Sequence, residues 1–134
     1  MTWWLAGLIA GVVAFLVDWV MWGKVFTKGM EAFGTMENAQ ARMPGMMAKS
    51  AVLALVFGEL LAIIYSQFLD SLWARPGVLG GMELATVLWL PTIALETTGS
   101  GIWFDKARPL FMAQFWSWFV RMNAAGAVVG LLVK

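Results

Sequence analysis

The sequence predicts an all-α integral membrane protein: a four-helix bundle with both termini on the non-cytoplasmic side. Three observations predict it. Four apolar runs of about 20 residues or more follow one another, and at 1.5 Å per residue each crosses the ~30 Å of a hydrocarbon core. Hydrophobic residues make up 61% of the 134 residues and charged residues 13%, with a mean hydropathy of +0.78. A soluble globule of that composition would have more apolar surface than it could hide. Finally, the charges deep within the runs are Asp18, Glu59, Glu96 and Arg121, with Glu83 still close to the surface, and an isolated charge at membrane depth must face a partner or water. One transmembrane domain is expected over 1–134, with helices near 3–22, 48–69, 79–103 and 109–133.

The first run opens on Trp3-Trp4 with no basic stretch before it and no small-residue cleavage site after it. It is therefore expected to be a retained helix rather than a signal peptide. Gly7 and Gly11 form a small-xxx-small pair, and the same face carries Ala14 and then Asp18. From 24 to 47 the apolar character breaks at Lys24, Lys28, Glu31, Glu37 and Arg42, and Pro44-Gly45 is expected to close the segment. Phe26, Met30, Phe33 and Met36 recur at three- and four-residue spacing, which predicts a short helix lying in the membrane surface. Gly29 and Gly34 leave a partly ordered loop as the alternative.

The second run places small residues at every fourth position, Ser50, Ala54, Gly58, Ala62 and Ser66, a ladder along which another helix backbone can approach. Glu59 lies roughly 16 Å of helical rise beyond Ala48, near the bilayer midplane. The turn at Asp70, Arg75, Pro76 and Gly77 is short, so helices two and three are expected to be antiparallel neighbours. In the third run Pro91 should kink the helix. Glu96, Thr97, Thr98, Gly99, Ser100 and Gly101 should make it fray early or line a wet cavity. The fourth run follows Asp105, Lys106, Ala107, Arg108 and Pro109, with Gln114, Ser117 and Arg121 on one face and a second glycine pair at Gly126 and Gly130.

Lys24, Lys28, Arg42, Lys49, Lys106 and Arg108 fall on one side of this topology, and Arg75 and Lys134 on the other. The positive-inside rule makes the first side cytoplasmic. Trp3, Trp4 and Trp73 then mark the outer interface, and Trp22, Trp103, Trp116 and Trp118 the inner one.

Counted from the cytoplasmic ends of their helices, Glu59 and Arg121 share a level, which predicts an ion pair. Asp18, Glu96, Gln114 and Ser117 form a second polar layer that Arg121 could reach. These residues are either interhelical glue at about 0.6 kcal/mol per hydrogen bond or a path for protons, cations or an anionic ligand. The helix-packing set is Gly7, Gly11, Ala54, Gly58, Ala62, Gly126 and Gly130. Two small-residue faces, on the first and last helices, exceed the need of a single bundle, so one is expected to meet a partner.

Several chemistries are excluded or weak. With no cysteine and no histidine there are no disulfides, thiolate metal sites, imidazole bases or usual haem ligands. A formal charge of +1 is not that of a polybasic nucleic-acid binder. Met43, Met46 and Met47 have the look of a cuprous-ion clamp, but ordinary interfacial methionines are the better reading. No cofactor and no metal are expected, and the tryptophans are taken as anchors and core rather than as a pigment or quinone site.

In its Trp3-Trp4-Leu5-Ala6 opening, its Trp19-Val20-Met21-Trp22 stretch followed by Gly23-Lys24-Val25-Phe26, and Trp103-Phe104-Asp105-Lys106-Ala107-Arg108-Pro109, the chain resembles a group of small bacterial four-helix membrane proteins classed as a domain of unknown function. The resemblance implies a fold and a bacterial membrane location, and no activity. The leading expectation is a non-enzymatic accessory or scaffolding subunit, a homo-oligomer or part of a larger membrane complex. The rival is a small oligomeric transporter or channel, and a membrane enzyme on lipid or isoprenoid substrates comes third.

Overall fold

The computed structural model describes residues 2–22, 39–73 and 76–133, all of it helices and short connections. Helix α1 is Trp3–Val20, α2 is Ala39–Phe68, α3 is Val78–Trp89, α4 is Leu95–Trp103 and α5 is Arg108–Leu132. A π-turn, Leu90–Ala94, joins α3 to α4, so the two make one continuous span. Four helical stretches are long and apolar enough to cross a membrane: Trp3–Val20, Met47–Ser71, Val78–Trp103 and Asp105–Leu132. Their outward side chains, such as Val52, Leu53, Val56 and Leu60 on α2 and Leu95 and Ile102 on α4, stand exposed, as suits a hydrocarbon surrounding.

Two pairs of helices meet backbone to backbone. On α1 and α2, Gly58 lies directly against Gly7 O and Gly11 N, and a Cβ on Gly11 would sit 2.7 Å from Ala54 O. On α3 and α5, Gly81 lies against Gly126 O and Gly130 against Gly77 O. Lipid tails are as apolar as leucine, so helices in a bilayer gain little from hiding hydrocarbon from it; close backbone contact is what small residues supply instead. Both glycine faces are thus consumed inside the chain, which corrects the expectation that one of them is left for a partner. Gly77 has a second reason to be glycine, since its φ of 135° is closed to residues with a side chain.

The two pairs are joined through α1 and α5. Ala6, Ala10 and Ala14 on α1, and Ala125, Val129 and Val133 at the end of α5, belong to one buried cluster with Leu61, Ala62 and Tyr65 of α2 and Leu84 of α3. Helices α2 and α3 hardly touch, contrary to the neighbour relation expected from their short connection. Their small faces are already engaged elsewhere, α2 with α1 and α3 with α5. The connection itself is pinned by the Gly77 N–H donating to the buried Tyr65 hydroxyl at 3.0 Å and the Trp73 N–H donating to Glu83 Oε1 at 2.7 Å.

Two further expectations change. The second helix starts at Ala39 and runs through Pro44 instead of being closed off by it. The proline lies little more than a turn in and is exposed, so one missing bond in a 30-residue helix is tolerated there. The surface helix expected earlier in that segment falls on residues 23–38, outside the described residues. Nor does the third span fray after Pro91. The π-turn absorbs the ring, with the Leu95 N–H reaching back to Leu90 O. Thr97 and Thr98 donate to Ile93 O and Ala94 O, each at 2.7 Å. Hydroxyls satisfied by their own helix need no water, so α4 continues to Trp103.

Gly58→Ala is expected to weaken the fold by about 1–3 kcal/mol or more, because the new methyl must push two backbones apart. Gly99→Ala, at a helical position with nothing within 4 Å of the added carbon, should be neutral or stabilise by up to about 1 kcal/mol through backbone entropy. Denaturation in mixed micelles with increasing SDS compares the two.

Candidate functional site: the buried arginine

Arg121 is at the middle of α5, where three helices converge. Its Nη1 lies 3.6 Å from Asp18 Oδ2 on α1, a contact made between side chains 11% and 33% exposed. The guanidinium carbon stands 4.4 Å from the ring centre of Trp118, one turn back on α5, and 5.3 Å from that of Phe57 on α2. Arginine is suited to this position because its flat, weakly hydrated cation stacks on aromatic faces. Each such contact contributes on the order of 0.5–2 kcal/mol where water is excluded. Asp18 is in turn hydrogen-bonded by the side chain of Trp22, four residues on. Arg121 Nε is buried without an acceptor among the described residues.

The pairing follows from register. Ala6, Ala10, Ala14 and Asp18 recur every four residues on α1, as do Arg121, Ala125, Val129 and Val133 on α5. In an antiparallel pair, a match of Asp18 with Arg121 steps onward through Ala14 and Ala125, Ala10 and Val129, and Ala6 and Val133. All six of those smaller residues are in the same buried cluster. The ion pair is the last rung of an otherwise apolar ladder.

Arg121 is therefore paired with Asp18 and not, as the residue count predicts, with Glu59. Glu59 packs on the far half of α1, where a Cβ on Gly7 would meet its Oε2 at 2.8 Å. Gly7 and Asp18 are eleven residues apart, or ~16 Å along the axis, so one guanidinium cannot serve both acids. Counting depth from helix starts failed because α2 begins well before Ala48 and is positioned by its glycine contact with α1. Glu59 is half-buried and makes no ion pair or hydrogen bond among the described residues.

The second polar layer is not assembled either. Glu96 is exposed on α4, which packs only on α5 and its own flanking turns, and its carboxylate accepts from the Ser100 hydroxyl at 3.3 Å. Ser117 is buried but donates to Gln114 O of its own helix, and the Gln114 side chain is half-buried. Trp118, expected as an interfacial anchor, is instead the platform under Arg121; Trp3, Trp4, Trp73 and Trp103 are exposed near the span ends, and Trp116 is exposed well inside its span.

Two further polar links tie the helices together. Asn123, in the same apolar run as Arg121, accepts from the Thr86 hydroxyl of α3 at 3.1 Å and donates to Phe119 O. Trp89, buried on α3, donates its indole N–H to Phe115 O at 3.1 Å and stacks edge-on with the Phe115 ring. Asn123, and Trp118 three residues before Arg121, were visible signals; Phe57 could be found only from the packing of α2 on α1. Chemically, the constellation holds a cation in place with one carboxylate and two aromatic faces. Comparison with protein-family models, with curated proteins and with solved structures gives no match for the chain.

Asp18→Asn should cost about 2–3 kcal/mol, less than the ~3–5 kcal/mol of a fully enclosed pair because the carboxylate is one-third exposed. Combining it with Arg121→Met should restore most of the loss. Unfolding of the two single variants and the double variant in micelles gives the coupling, and additive losses would show that the pair contributes nothing.

Proposed function

We propose that the chain is a non-enzymatic integral membrane accessory or scaffolding subunit, self-associating or held within a larger complex. Its setting in this reading is a bacterial inner membrane, with both termini facing away from the cytoplasm. The observation that carries the proposal is the commitment of Arg121: its charge is taken up by Asp18, Trp118 and Phe57, residues of the three helices that must be held together. Three clefts among the described residues are lined by none of Asp18, Glu59 and Arg121. Because the glycine faces are used internally, contact with a partner falls to the large apolar side chains outside, foremost on α2 and α4.

A transporter or channel is the second reading, and the half-buried Glu59, without a polar partner among the described residues, is the observation in its favour. The two separate experimentally. Extraction from native membrane in a mild detergent should yield a discrete assembly larger than one protomer, and the Asp18→Asn, Arg121→Met double variant should retain it. Proteoliposomes of the purified protein should pass protons and cations no faster than empty vesicles. A flux that Glu59→Gln abolishes would overturn the accessory reading and establish the other.

A further inference from the structure

A wedge of about 350 Å³ opens between α4 and α5 on the side of the Asp105–Ala107 turn. Beyond the π-turn at Pro91, α4 packs on α5 and on its own flanking turns, with little contact to α1 or α2. Its walls are hydrocarbon and aromatic: Ile102 on one side and Phe111, Met112, Phe115 and Trp116 on the other. Thr97 and Thr98 also line it, but their hydroxyl protons are committed to carbonyls of their own helix. At the mouth lies Arg108, whose Nε donates to Gly101 O at 3.3 Å. That bond holds the guanidinium over the opening and leaves its two terminal nitrogens without a partner among the described residues. Lys106 is exposed two residues away, and with Asp105 the rim keeps a net positive charge. The first backbone N–H groups of the 25-residue α5 lie at the same end.

We propose that this wedge binds one anionic phospholipid, its phosphate at Arg108 and Lys106 and one acyl chain between Ile102 and the aromatic wall. An apolar slot open sideways to the bilayer takes a chain that continues into the lipid, and a fork of free N–H donors at the rim selects a phosphate. The occupant is a lipid of the leaflet on the Lys106 side. The proposal does not depend on what the bundle as a whole is for.

The test is native mass spectrometry of the purified chain in micelles doped with equal phosphatidylglycerol and phosphatidylcholine of identical acyl chains. One phosphatidylglycerol should be retained in preference, and Lys106→Gln and Arg108→Gln should each cut that preference about five-fold. Gly101→Leu, which fills the slot from α4, should lower retention of both lipids; should that variant not fold, Met112→Trp fills it from α5. Equal retention of the two lipids overturns the proposal, as does a preference that survives loss of both cations. Retention undiminished in the filled-slot variant assigns the lipid to the general protein surface and overturns it too.

Discussion

Direct contact between helix backbones is the constraint on which the rest of this molecule depends. Where Gly58 meets Gly7 and Gly11, and Gly81 meets Gly126, the main chains are too close for a single added carbon. In water a bundle can be held by burying large side chains, but in lipid that exchange gains little, so the contact must come from dispersion and from carbonyls set against Cα–H groups. The two glycine crossings fix α1 on α2 and α3 on α5, and everything charged is positioned afterwards. Asp18 reaches Arg121 because a run of alanines brings α1 onto α5 in that register. Moving α1 by one helical turn would place Ala14 opposite the guanidinium and leave it unpaired.

The buried cation is accommodated by economy of contacts. Its carboxylate is 3.6 Å away, beyond good hydrogen-bond length, and its buried Nε has no acceptor among the described residues. Trp118 and Phe57 supply what a second carboxylate would have supplied, and they do so without adding a charge that must itself be removed from water. Trp22 performs the complementary task for Asp18. The polar residues of the bundle follow a common pattern: Thr97, Thr98, Ser117 and Asn123 each bond a carbonyl of the preceding turn, which lets a hydroxyl or amide sit at membrane depth with no water near it.

Helical class and the number of apolar spans were legible from composition and run length, since both report directly on the solvent a chain can live in. The small residues at four-residue spacing were legible as close-packing faces, but not which face meets which. That needs the relative height of helices, and height is set by Gly58 on Gly7 and by Gly77 on Gly130, contacts between residues far apart in sequence. Hence residue counting alone pairs Arg121 with Glu59, although the need of Arg121 for a partner is plain from the sequence. The threonines after Pro91 misled for a different reason. Their low helix propensity is a statement about water-exposed peptides, and it is overridden where the hydroxyl has nothing to bond except its own backbone.

The span that contains Pro91 keeps Ile102 and Trp103 exposed toward its far end. Apart from its flanking turns, α4 packs on α5, so among the described helices this half-span has little support and is available to something outside it. Gly99 and Gly101 fit that picture: neither sits at a backbone crossing of the kind that makes Gly58 or Gly81 irreplaceable. Gly101 keeps the face of α4 slim where it borders the wedge, whereas Gly99 has open space beside it. The tight half of the molecule and the open half are thus built with the same residue type, used once to bring helices together and once to leave room between them.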